Sequence, residues 1–455
     1  MNILYIHTHD TGRYLQPYGY NAPTPHLLSL AKEGVLFRNC FCAAPTCSPS
    51  RAALLTGMNP HSSGMLGLVH RGFTLRDPAK HLANHLKQHG YETVLCGIQH
   101  VIAGNRVSEL GYDRVLQGDV SGRAHGNTDP DRNMTWDRAN AKAVGEYLQH
   151  VHKNTPFFLS FGMFSTHRPF PRPDSDPDYV QPAPTLPDNA ATREDMAGFL
   201  TSVRCVDDCV GIVLNGLEES GLADKTLVLF TTDHGISFPG MKCHLYDAGI
   251  GVALLMKIPG TSYRGRTVDA LVSHLDIYPT LCDLAGIERP EWLEGSSIMP
   301  LLTGEQANIR DEIFAEVTYH AAYEPMRCIR TTRYKYIRYD DDFELVVKPN
   351  IDDGASKQFL LEHGLHARKH DDAEMLFDLY FDPCEKRNLI HDPEYAAIRT
   401  ELSSRLRQWM QKTADPLLTG NVQKPRTTKV DVKSGVSVSE YNYEEEDQSG
   451  KGGVL

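Results

Sequence analysis

The chain has 455 residues and a formal net charge of −12 at pH 7, a length that suits one large domain with a smaller one beside it. The negative charge argues against a nucleic-acid partner, and no apolar run approaches the ~20 residues that cross a membrane. Ten cysteines without a C-x-x-C pair argue against a disulfide framework. A strand over Asn2–Ile6 opens the chain with no signal peptide ahead of it. We therefore expect a cytoplasmic protein, or a periplasmic or secreted one if a signal peptide has been trimmed.

Strands and helices alternate along most of the chain. Apolar runs predict strands at residues 2–8, 92–97, 156–163, 225–231 and 252–258. Helical spacing of apolar residues predicts helices over residues 25–33, from about residue 50, and over 80–89, 137–152 and 193–219. This alternation predicts an α/β fold around a mostly parallel sheet.

Polar side chains directly follow four of these predicted strands. They are His9 and Asp10 after the first strand, His100 after the second, His167 after the third, and Asp233 and His234 after the fourth. Ligands of open α/β sheets bind beyond the carboxyl ends of the strands, so we expect these residues to share one site. A proline-rich stretch at 169–187 predicts an irregular loop near the mouth of the pocket.

The character of the sequence changes at about residue 319. Residues 328–339 and 344–348 predict antiparallel strands, and apolar spacing over 394–410 predicts a helix that docks on them. The last 30 or so residues are rich in acidic residues, Gly and Ser, which predicts a tail. The expected organisation is a catalytic α/β domain at 1–318, a C-terminal domain of antiparallel sheet and helix at 319–425, and a tail at 426–455.

The most specific motif runs from Cys47 to Gly57 and reads C-S-P-S-R-A-A-L-L-T-G. Its pattern, C-x-P-S-R-x-x-x-x-T-G, resembles the signature of the type I sulfatases. In that family the cysteine is oxidised to Cα-formylglycine, whose hydrated gem-diol is the nucleophile. A thiol would leave a stable adduct, whereas a gem-diol attacks with one hydroxyl and expels sulfate as the other collapses. Arg51, about one helical turn later, would stabilise this group. The alternative is a buried structural cysteine.

The resemblance covers about residues 1–412 and is strongest with the N-sulfoglucosamine sulfohydrolase branch of the family. The matching stretches are Thr24–Gly67 and Thr226–Tyr246, and residues 375–389 resemble a segment of sulfatase C-terminal domains. This resemblance implies an alkaline-phosphatase-like fold, with a mostly parallel sheet flanked by helices. It also implies a divalent metal ion, a sulfated small molecule or glycan as substrate, and a maturase that generates formylglycine.

The resemblance also implies a set of metal ligands. The family holds its metal with an Asp-Asp pair, the formylglycine and an Asp-Asn pair, and the corresponding positions here are His9-Asp10, Cys47 and Asp233-His234. Four hard oxygen ligands suit Ca²⁺, whereas two imidazoles with two carboxylates suit Mn²⁺, Zn²⁺ or Fe²⁺ better. The alternative is that His9 or His234 hydrogen-bonds a neighbour instead of binding metal.

Four more positions carry over from the family or stand in for its residues. His100 matches the histidine of a G-K-x-H motif and would contact the gem-diol or take its proton. Ile98 replaces the lysine of that motif, and Gln99 is expected to substitute for it as a neutral donor to the sulfate. His167 is the candidate general acid beside the leaving group. Lys242 would neutralise a sulfate oxygen where charge develops in the transition state.

We expect a metal-dependent sulfatase that hydrolyses a sulfate ester or sulfamate, most plausibly of a carbohydrate. The Asp233-His234 pair is also similar to that of phosphonate monoester hydrolases, which belong to the same superfamily and use formylglycine. A phosphonate monoester or phosphodiester hydrolase is therefore the first alternative. The second is a non-catalytic metal-binding pseudoenzyme in which Cys47 stays a thiol.

Overall fold

A computed structural model describes residues 1–120, 129–152, 154–370, 372–438 and 442–444. Within these ranges the strands are β1 (Asn2–Thr8), β2 (Val35–Phe37), β3 (Cys40–Phe41), β4 (Glu92–Gly97), β5 (Arg114–Leu116), β6 (Phe157–Gly162), β7 (Thr226–Thr232), β8 (Gly251–Val252), β9 (Leu254–Lys257), β10 (Arg266–Val268), β11 (Val272–Ser273), β12 (Glu312–Tyr319), β13 (Tyr323–Thr331), β14 (Tyr334–Tyr339) and β15 (Glu374–Asp378). The α-helices are α1 (Pro25–Glu33), α2 (Cys47–Thr56), α3 (Pro60–Ser63), α4 (Leu82–Gln88), α5 (Pro130–His150), α6 (Ala190–Glu219), α7 (Asp247–Ile250), α8 (Ile277–Ala285), α9 (Met299–Thr303), α10 (Ala355–Glu362) and α11 (Ala396–Lys412). None of the helices in the described ranges has both the length and the hydropathy of a membrane span.

Eight strands form the main sheet in the order β10-β2-β9-β7-β1-β6-β4-β5. β1 lies at its centre and pairs in parallel with β7 on one side and with β6 on the other. β9 runs antiparallel to both of its neighbours, β7 and β2. The strand predicted over residues 252–258 is this antiparallel strand. The predicted α/β fold with a mostly parallel sheet is confirmed.

The two faces of the main sheet bury two separate cores. Ile3 and Tyr5 of β1 face one core, and Leu4 and Ile6 face the other, because side chains alternate along a strand. Apolar residues of α1, α5 and α6 line the second core, whereas α2, α4 and α8 contribute to the first. A central strand covered on both faces has no side that meets water, which explains the apolar run over residues 2–8.

A second sheet, in the order β12-β13-β14-β15, is antiparallel throughout. The helix α11 packs on it, as the sequence predicted, and its buried residues are Leu402, Leu406 and Met410. The sheet begins at Glu312, so the predicted boundary at residue 318 falls inside its first strand.

The strand predicted at residues 344–348 does not form. Leu345 makes an isolated bridge with Lys369, and Lys348–Asn350 is a 3₁₀ turn. Pro349 lies in that turn, and its ring removes the N–H that would continue a strand ladder. The antiparallel strands that do form after β12 are β13, β14 and β15.

Residues 426–438, which the sequence predicted as part of a tail, lie against the body of the protein. Val430 and Asp431 are buried, and the Lys429 N–H donates to the backbone oxygen of Arg71 at 2.8 Å. The Arg71 guanidinium donates to the Asp431 carboxylate at 2.9 Å. Residues 445–455 of the predicted tail lie outside the described residues.

Four buried charged groups join the C-terminal sheet to the catalytic domain. Arg327 on β13 donates to both carboxylate oxygens of Asp415, at 2.5 and 2.9 Å. Its Nε lies 3.3 Å from Glu316, whose other contact is His61 of α3 at 2.6 Å. Burial opposes the charge of His61, but Glu316 raises the pKa of this imidazole above its ordinary value. The cluster balances two carboxylates against two cationic groups.

We predict that Asp415→Ala lowers the free energy of unfolding by about 3–5 kcal/mol, because it leaves Arg327 buried without its bidentate partner. Urea unfolding of the full chain measures this change. Glu401→Ala is the matched control, since Glu401 pairs with Arg405 on the exposed side of α11 and its loss should cost about 0–1 kcal/mol. Equal losses in the two variants would contradict a structural role for the cluster.

Candidate functional site

The carboxyl ends of four neighbouring strands meet at one edge of the main sheet. In the order β7-β1-β6-β4 these strands are adjacent and parallel. The residues that follow them are Asp233 and His234 after β7, His9 and Asp10 after β1, His167 beyond β6, and His100 beyond β4. The structure therefore brings together the residues that the sequence placed after separate strands.

Cys47 is the first residue of α2, three residues earlier than the predicted helix start. Its side chain is buried, with 2% exposed, and its Sγ lies 3.4 Å from His234 Nε2 and 3.9 Å from Asp10 Oδ1. Pro49 falls in the first turn, where a missing N–H costs no helical hydrogen bond. Gly57 ends the helix with a left-handed φ of 67°.

Arg51 lies one turn after Cys47 and is anchored to the strand ends. Its guanidinium donates to Thr8 O at 2.9 Å and to Asp233 Oδ2 at 3.0 Å, and it contacts His7 Nδ1. Arg51 thus brings a fixed positive charge to the site through Asp233.

Four ligand atoms from three segments converge around one point. His234 Nε2 lies 3.2 Å from Asp10 Oδ1, 3.6 Å from Asp233 Oδ2 and 3.4 Å from Cys47 Sγ. The four atoms all lie within 4.8 Å of one another. Ligands about 2.0–2.5 Å from a shared divalent cation have separations of this size. The arrangement fits a metal ion.

The two histidines each direct a ring nitrogen toward the carboxylates of this cluster. His234 Nδ1 donates to Gly235 O at 2.9 Å, and this bond leaves Nε2 without a proton in the neutral ring. His9 is fully buried, and neither of its ring nitrogens has a hydrogen-bond partner among the described residues. Its Nδ1 lies 3.3 Å from Asp233 Oδ2. Buried ring nitrogens without partners are costly unless they bind something, so this observation supports a cation at the site.

The two buried carboxylates are held in their charged form. Burial raises the pKa of a carboxyl, but the Lys242 ammonium outweighs burial and holds the pKa of Asp10 well below its ordinary value. Arg51 and His234 have the same effect on Asp233. Asp10 has a left-handed φ of 43°, and its N–H donates to Asp233 Oδ1 at 2.8 Å, so the two carboxylates are also tied together.

Lys242 is ion-paired on both sides. Its Nζ lies 2.9 Å from Asp10 Oδ2 and 2.7 Å from Asp352 Oδ2. Burial opposes ionisation of Asp352 too, but Lys242 lowers its pKa to about 2. Sequence reasoning missed Asp352, which lies 110 residues after Lys242 and belongs to the segment following β14. No local pattern connects the two positions.

His167, His100 and His70 lie at the more open side of the site. His167 Nε2 is 4.0 Å from Asp10 Oδ2, its Nδ1 donates to Arg168 O, and burial lowers its pKa to about 4. The rings of His9 and His100 are 5.5 Å apart. The exposed His70, which the sequence did not single out, stacks on His100 with Nδ1 3.4 Å from His100 Nε2.

The side chain of Gln99, the expected substitute for the family lysine, forms hydrogen bonds within its own loop. Its Nε2 donates to Ile102 O at 2.6 Å, and its Oε1 accepts from the N–H groups of Val101 and Ile102 at 2.6 and 3.0 Å. These three bonds shape the turn that carries His100. In this geometry the Gln99 amide is engaged within its own loop, and its role as a donor to the sulfate stays a prediction.

Residues 1–287 match the Sulfatase family, and residues 239–349 match the family described as N-sulphoglucosamine sulphohydrolase, C-terminal. The chain belongs to the sulfatase family. It is thus a sulfuric ester hydrolase of a family that uses a metal ion and formylglycine, and the predicted family resemblance is confirmed.

Relatives of this sulfatase align over most of both chains. An N-sulphoglucosamine sulphohydrolase of Homo sapiens is 30% identical over 475 residues, which cover 91% of each chain. An ulvan-active sulfatase of Formosa agariphila is 30% identical over 407 residues, which cover 87% of this chain and 76% of the relative.

Solved structures confirm the alkaline-phosphatase-like fold of this sulfatase. A putative sulfatase from Bacteroides thetaiotaomicron superimposes with a TM-score of 0.73 at 24% identity, covering 96% of this chain and 99% of that chain. A phosphonate monoester hydrolase of Agrobacterium radiobacter superimposes with a TM-score of 0.70 at 21% identity, covering 90% and 96%. At such identities the likeness concerns the fold alone.

We predict that the metal-free protein binds Mn²⁺ or Zn²⁺ more tightly than Ca²⁺, because His9 and His234 supply nitrogen where Ca²⁺ prefers oxygen. Replacing His234 by Asn should weaken Mn²⁺ binding by about 10–100-fold and shift the preference toward Ca²⁺. Titration calorimetry of chelator-treated protein measures each dissociation constant. His26→Asn, an exposed change on α1, is the control and should leave them unchanged. Tighter binding of Ca²⁺ than of Mn²⁺ by the unaltered chain would refute this interpretation of the two histidines.

Proposed function

We propose that this sulfatase hydrolyses the sulfate ester or sulfamate of a carbohydrate, through a formylglycine made from Cys47. The observation that supports this most is the place of Cys47 at the start of α2, within 4 Å of both Asp10 and His234. Relatives named as an ulvan-active sulfatase, an N-sulphoglucosamine sulphohydrolase and an N-acetylglucosamine-6-O-sulfatase support a sulfated carbohydrate as substrate.

The state of the Cys47 thiol argues against the thiol itself as the nucleophile. Burial, together with the nearby carboxylates of Asp10 and Asp233, raises the pKa of this thiol well above its ordinary value. A thiol that stays protonated at neutral pH is a poor nucleophile. When made by a maturase and hydrated, formylglycine supplies a hydroxyl nucleophile at the same position.

The charges around Cys47 favour a monoanionic substrate. Three carboxylates, Asp10, Asp233 and Asp352, face two cations, Arg51 and Lys242, so the direct contacts leave one negative charge in excess. A divalent cation would change this excess into one positive charge. A sulfate ester carries a single negative charge, whereas a phosphate monoester carries about −1.5 to −2 at pH 7. The balance therefore fits a monoanion better than a phosphate monoester. Sulfate esters and phosphonate monoesters are both monoanions, and the substrate comparison below separates them.

The residues that would hold the metal ion are His9, Asp10, Asp233, His234 and the group derived from Cys47. When bound, a divalent cation supplies Lewis-acid stabilisation of negative charge on oxygen. The nitrogen ligands support Mn²⁺ or Zn²⁺ over Ca²⁺ for this role.

In the expected reaction, Lys242 binds a sulfate oxygen and His167 protonates the leaving atom. The Lys242 ammonium has three N–H donors and uses two of them on Asp10 and Asp352, so one remains for a sulfate oxygen. His167 is the general acid for the leaving atom in this scheme. Its Nδ1 bond to Arg168 O directs Nε2 toward the site, and both the Asp10 carboxylate and a bound sulfate favour a second proton there.

His100 and Arg51 complete the scheme. His100 has a buried Nδ1 without a hydrogen-bond partner among the described residues, and in this scheme its ring takes the proton of the nucleophile's second hydroxyl. Arg51 acts through Asp233, whose carboxylate it holds beside His9 and His234. It thereby supports the charge of the cluster without needing to touch the substrate.

We predict that Cys47→Ala lowers sulfatase activity to background, because it removes the precursor of the nucleophile. Co-expression with a maturase should raise the activity of the unaltered protein, and intact mass of the Cys47 peptide should show conversion of the thiol to the aldehyde. Cys42→Ala, at another buried cysteine nearby in the chain, is the control and should keep activity. Full activity in Cys47→Ala would overturn the proposal.

We predict that His167→Ala lowers kcat/KM by about 10²–10⁴-fold for a sugar sulfate, because an alkoxide is a poor leaving group without a general acid. An aryl sulfate, whose phenolate leaves readily, should lose much less. Steady-state kinetics on both substrates measure the difference. Equal losses on the two substrates would remove His167 from the acid role.

A substrate comparison tests the proposed class as a whole. O-sulfated glucosamine, N-sulfated glucosamine, an aryl sulfate and an aryl phosphonate monoester are assayed side by side with metal-loaded protein. The proposal expects a higher kcat/KM for the aryl sulfate than for the aryl phosphonate, which shares its leaving group, and hydrolysis of at least one of the two sulfated sugars. A preference for the aryl phosphonate over the aryl sulfate would refute it.

A further inference from the structure

We propose that Asp352 is a positioning residue that holds the Lys242 ammonium in place for the substrate's sulfate group. This inference rests on the proposed function. Lys242 Nζ lies between two carboxylates, 2.7 Å from Asp352 Oδ2 and 2.9 Å from Asp10 Oδ2. Asp10 and Lys242 are buried, and the Asp352 side chain is only 9% exposed.

A second anchor is needed because the first one has another task. Asp10 Oδ1 faces Cys47 Sγ and His234 Nε2, and Oδ2 faces Lys242. A lysine side chain has a flexible four-carbon stem and a compact charge, so a single carboxylate would draw the ammonium onto itself. Asp352 attracts the ammonium from the side opposite Asp10 and so keeps it between the two carboxylates. The third N–H of Lys242 is then left for a sulfate oxygen.

The segment that carries Asp352 is itself tightly held. Gly354 lies so close to Arg168 that an added Cβ would approach the guanidinium to 2.1 Å. Arg168 donates to both carboxylate oxygens of Asp195, at 2.7 and 2.8 Å, and Asp195 also accepts from the Ser356 N–H at 3.1 Å. Arg168 directly follows His167 in the chain. The same contacts therefore fix His167 and the Asp352 segment relative to each other.

Positioning and plain electrostatics predict opposite effects of removing the Asp352 charge. If Asp352 only adds negative charge beside an anion site, Asp352→Asn should strengthen the binding of sulfate. If it positions Lys242, the ammonium moves onto Asp10 in this variant and its bond to sulfate is lost. A charge-assisted hydrogen bond of about 1.5–3 kcal/mol corresponds to about a 10–100-fold change in binding.

The test compares Asp352→Asn and Asp352→Glu with Asp353→Asn in the full chain. Asp353 is the matched control, because it carries the same charge on the same segment but pairs with Lys357 instead of Lys242. Titration calorimetry measures inorganic sulfate binding to metal-loaded protein, aryl sulfate kinetics give kcat and KM, and thermal unfolding checks the fold of each variant.

We expect Asp352→Asn to weaken sulfate binding and to lower kcat by at least about tenfold, Asp352→Glu to recover part of both, and Asp353→Asn to match the unaltered protein. Tighter sulfate binding or an unchanged kcat in Asp352→Asn overturns the inference. An unaltered protein that binds sulfate but hydrolyses no sulfate ester refutes the proposed function instead. The binding comparison still decides the role of Asp352 in that case.

Discussion

The ion pairs around Asp10 and Asp233 are the constraint on which the site depends. Two carboxylates within one buried cluster repel each other and lose their hydration, so they stay charged only beside cations. The side chains of Arg51 from α2 and Lys242 from the loop after β7 supply this positive charge. Each of these cations has a second partner of its own, and these partners extend the cluster to His7 on β1 and to Asp352 beyond β14.

The order of the strands in the main sheet brings these charged groups together. The order β7-β1-β6-β4 makes the polar ends of four strands neighbours, and parallel pairing fixes their height at the sheet edge. The buried strands β1, β6 and β7 carry no Asp, Glu, Lys or Arg that could compensate the charges at their carboxyl ends. Part of the compensating charge therefore comes from α2, which presents Cys47 and Arg51 to this edge of the sheet. The segment that follows β14 covers the remaining side of the site with Asp352.

The sequence predicted the residues that lie next to strands and missed those that reach the site through tertiary folding. His9, Asp10, Asp233 and His234 were foreseeable, because each directly follows an apolar run that predicts a strand. Cys47 and Arg51 were foreseeable from their motif, although α2 begins at Cys47 and not near Ser50. Their positions agree with the prediction, while their chemical roles stay predictions.

Other features have no local signal. Asp352 follows a short turn with no periodicity, and tertiary contacts of its segment, such as Gly354 against Arg168, bring it to Lys242. The acidic and small residues near the C-terminus predicted a tail, but Asp431 is paired with Arg71, and composition cannot reveal such a pair. Nor does the sequence reveal that the Gln99 amide closes its own turn.

The burial of Cys47 has a consequence for how the protein is made. With 2% of its surface exposed and its backbone inside the first turn of α2, the cysteine is out of reach of another enzyme's active site once the domain has packed. If Cys47 is the formylglycine precursor that we propose, its oxidation has to happen before folding is complete, and the two processes compete in time. A chain that folds first keeps its thiol for as long as it stays folded. Substitutions that speed folding of the catalytic domain would then lower the fraction of active molecules, and the yield of active protein would depend on the rate of folding as well as on stability.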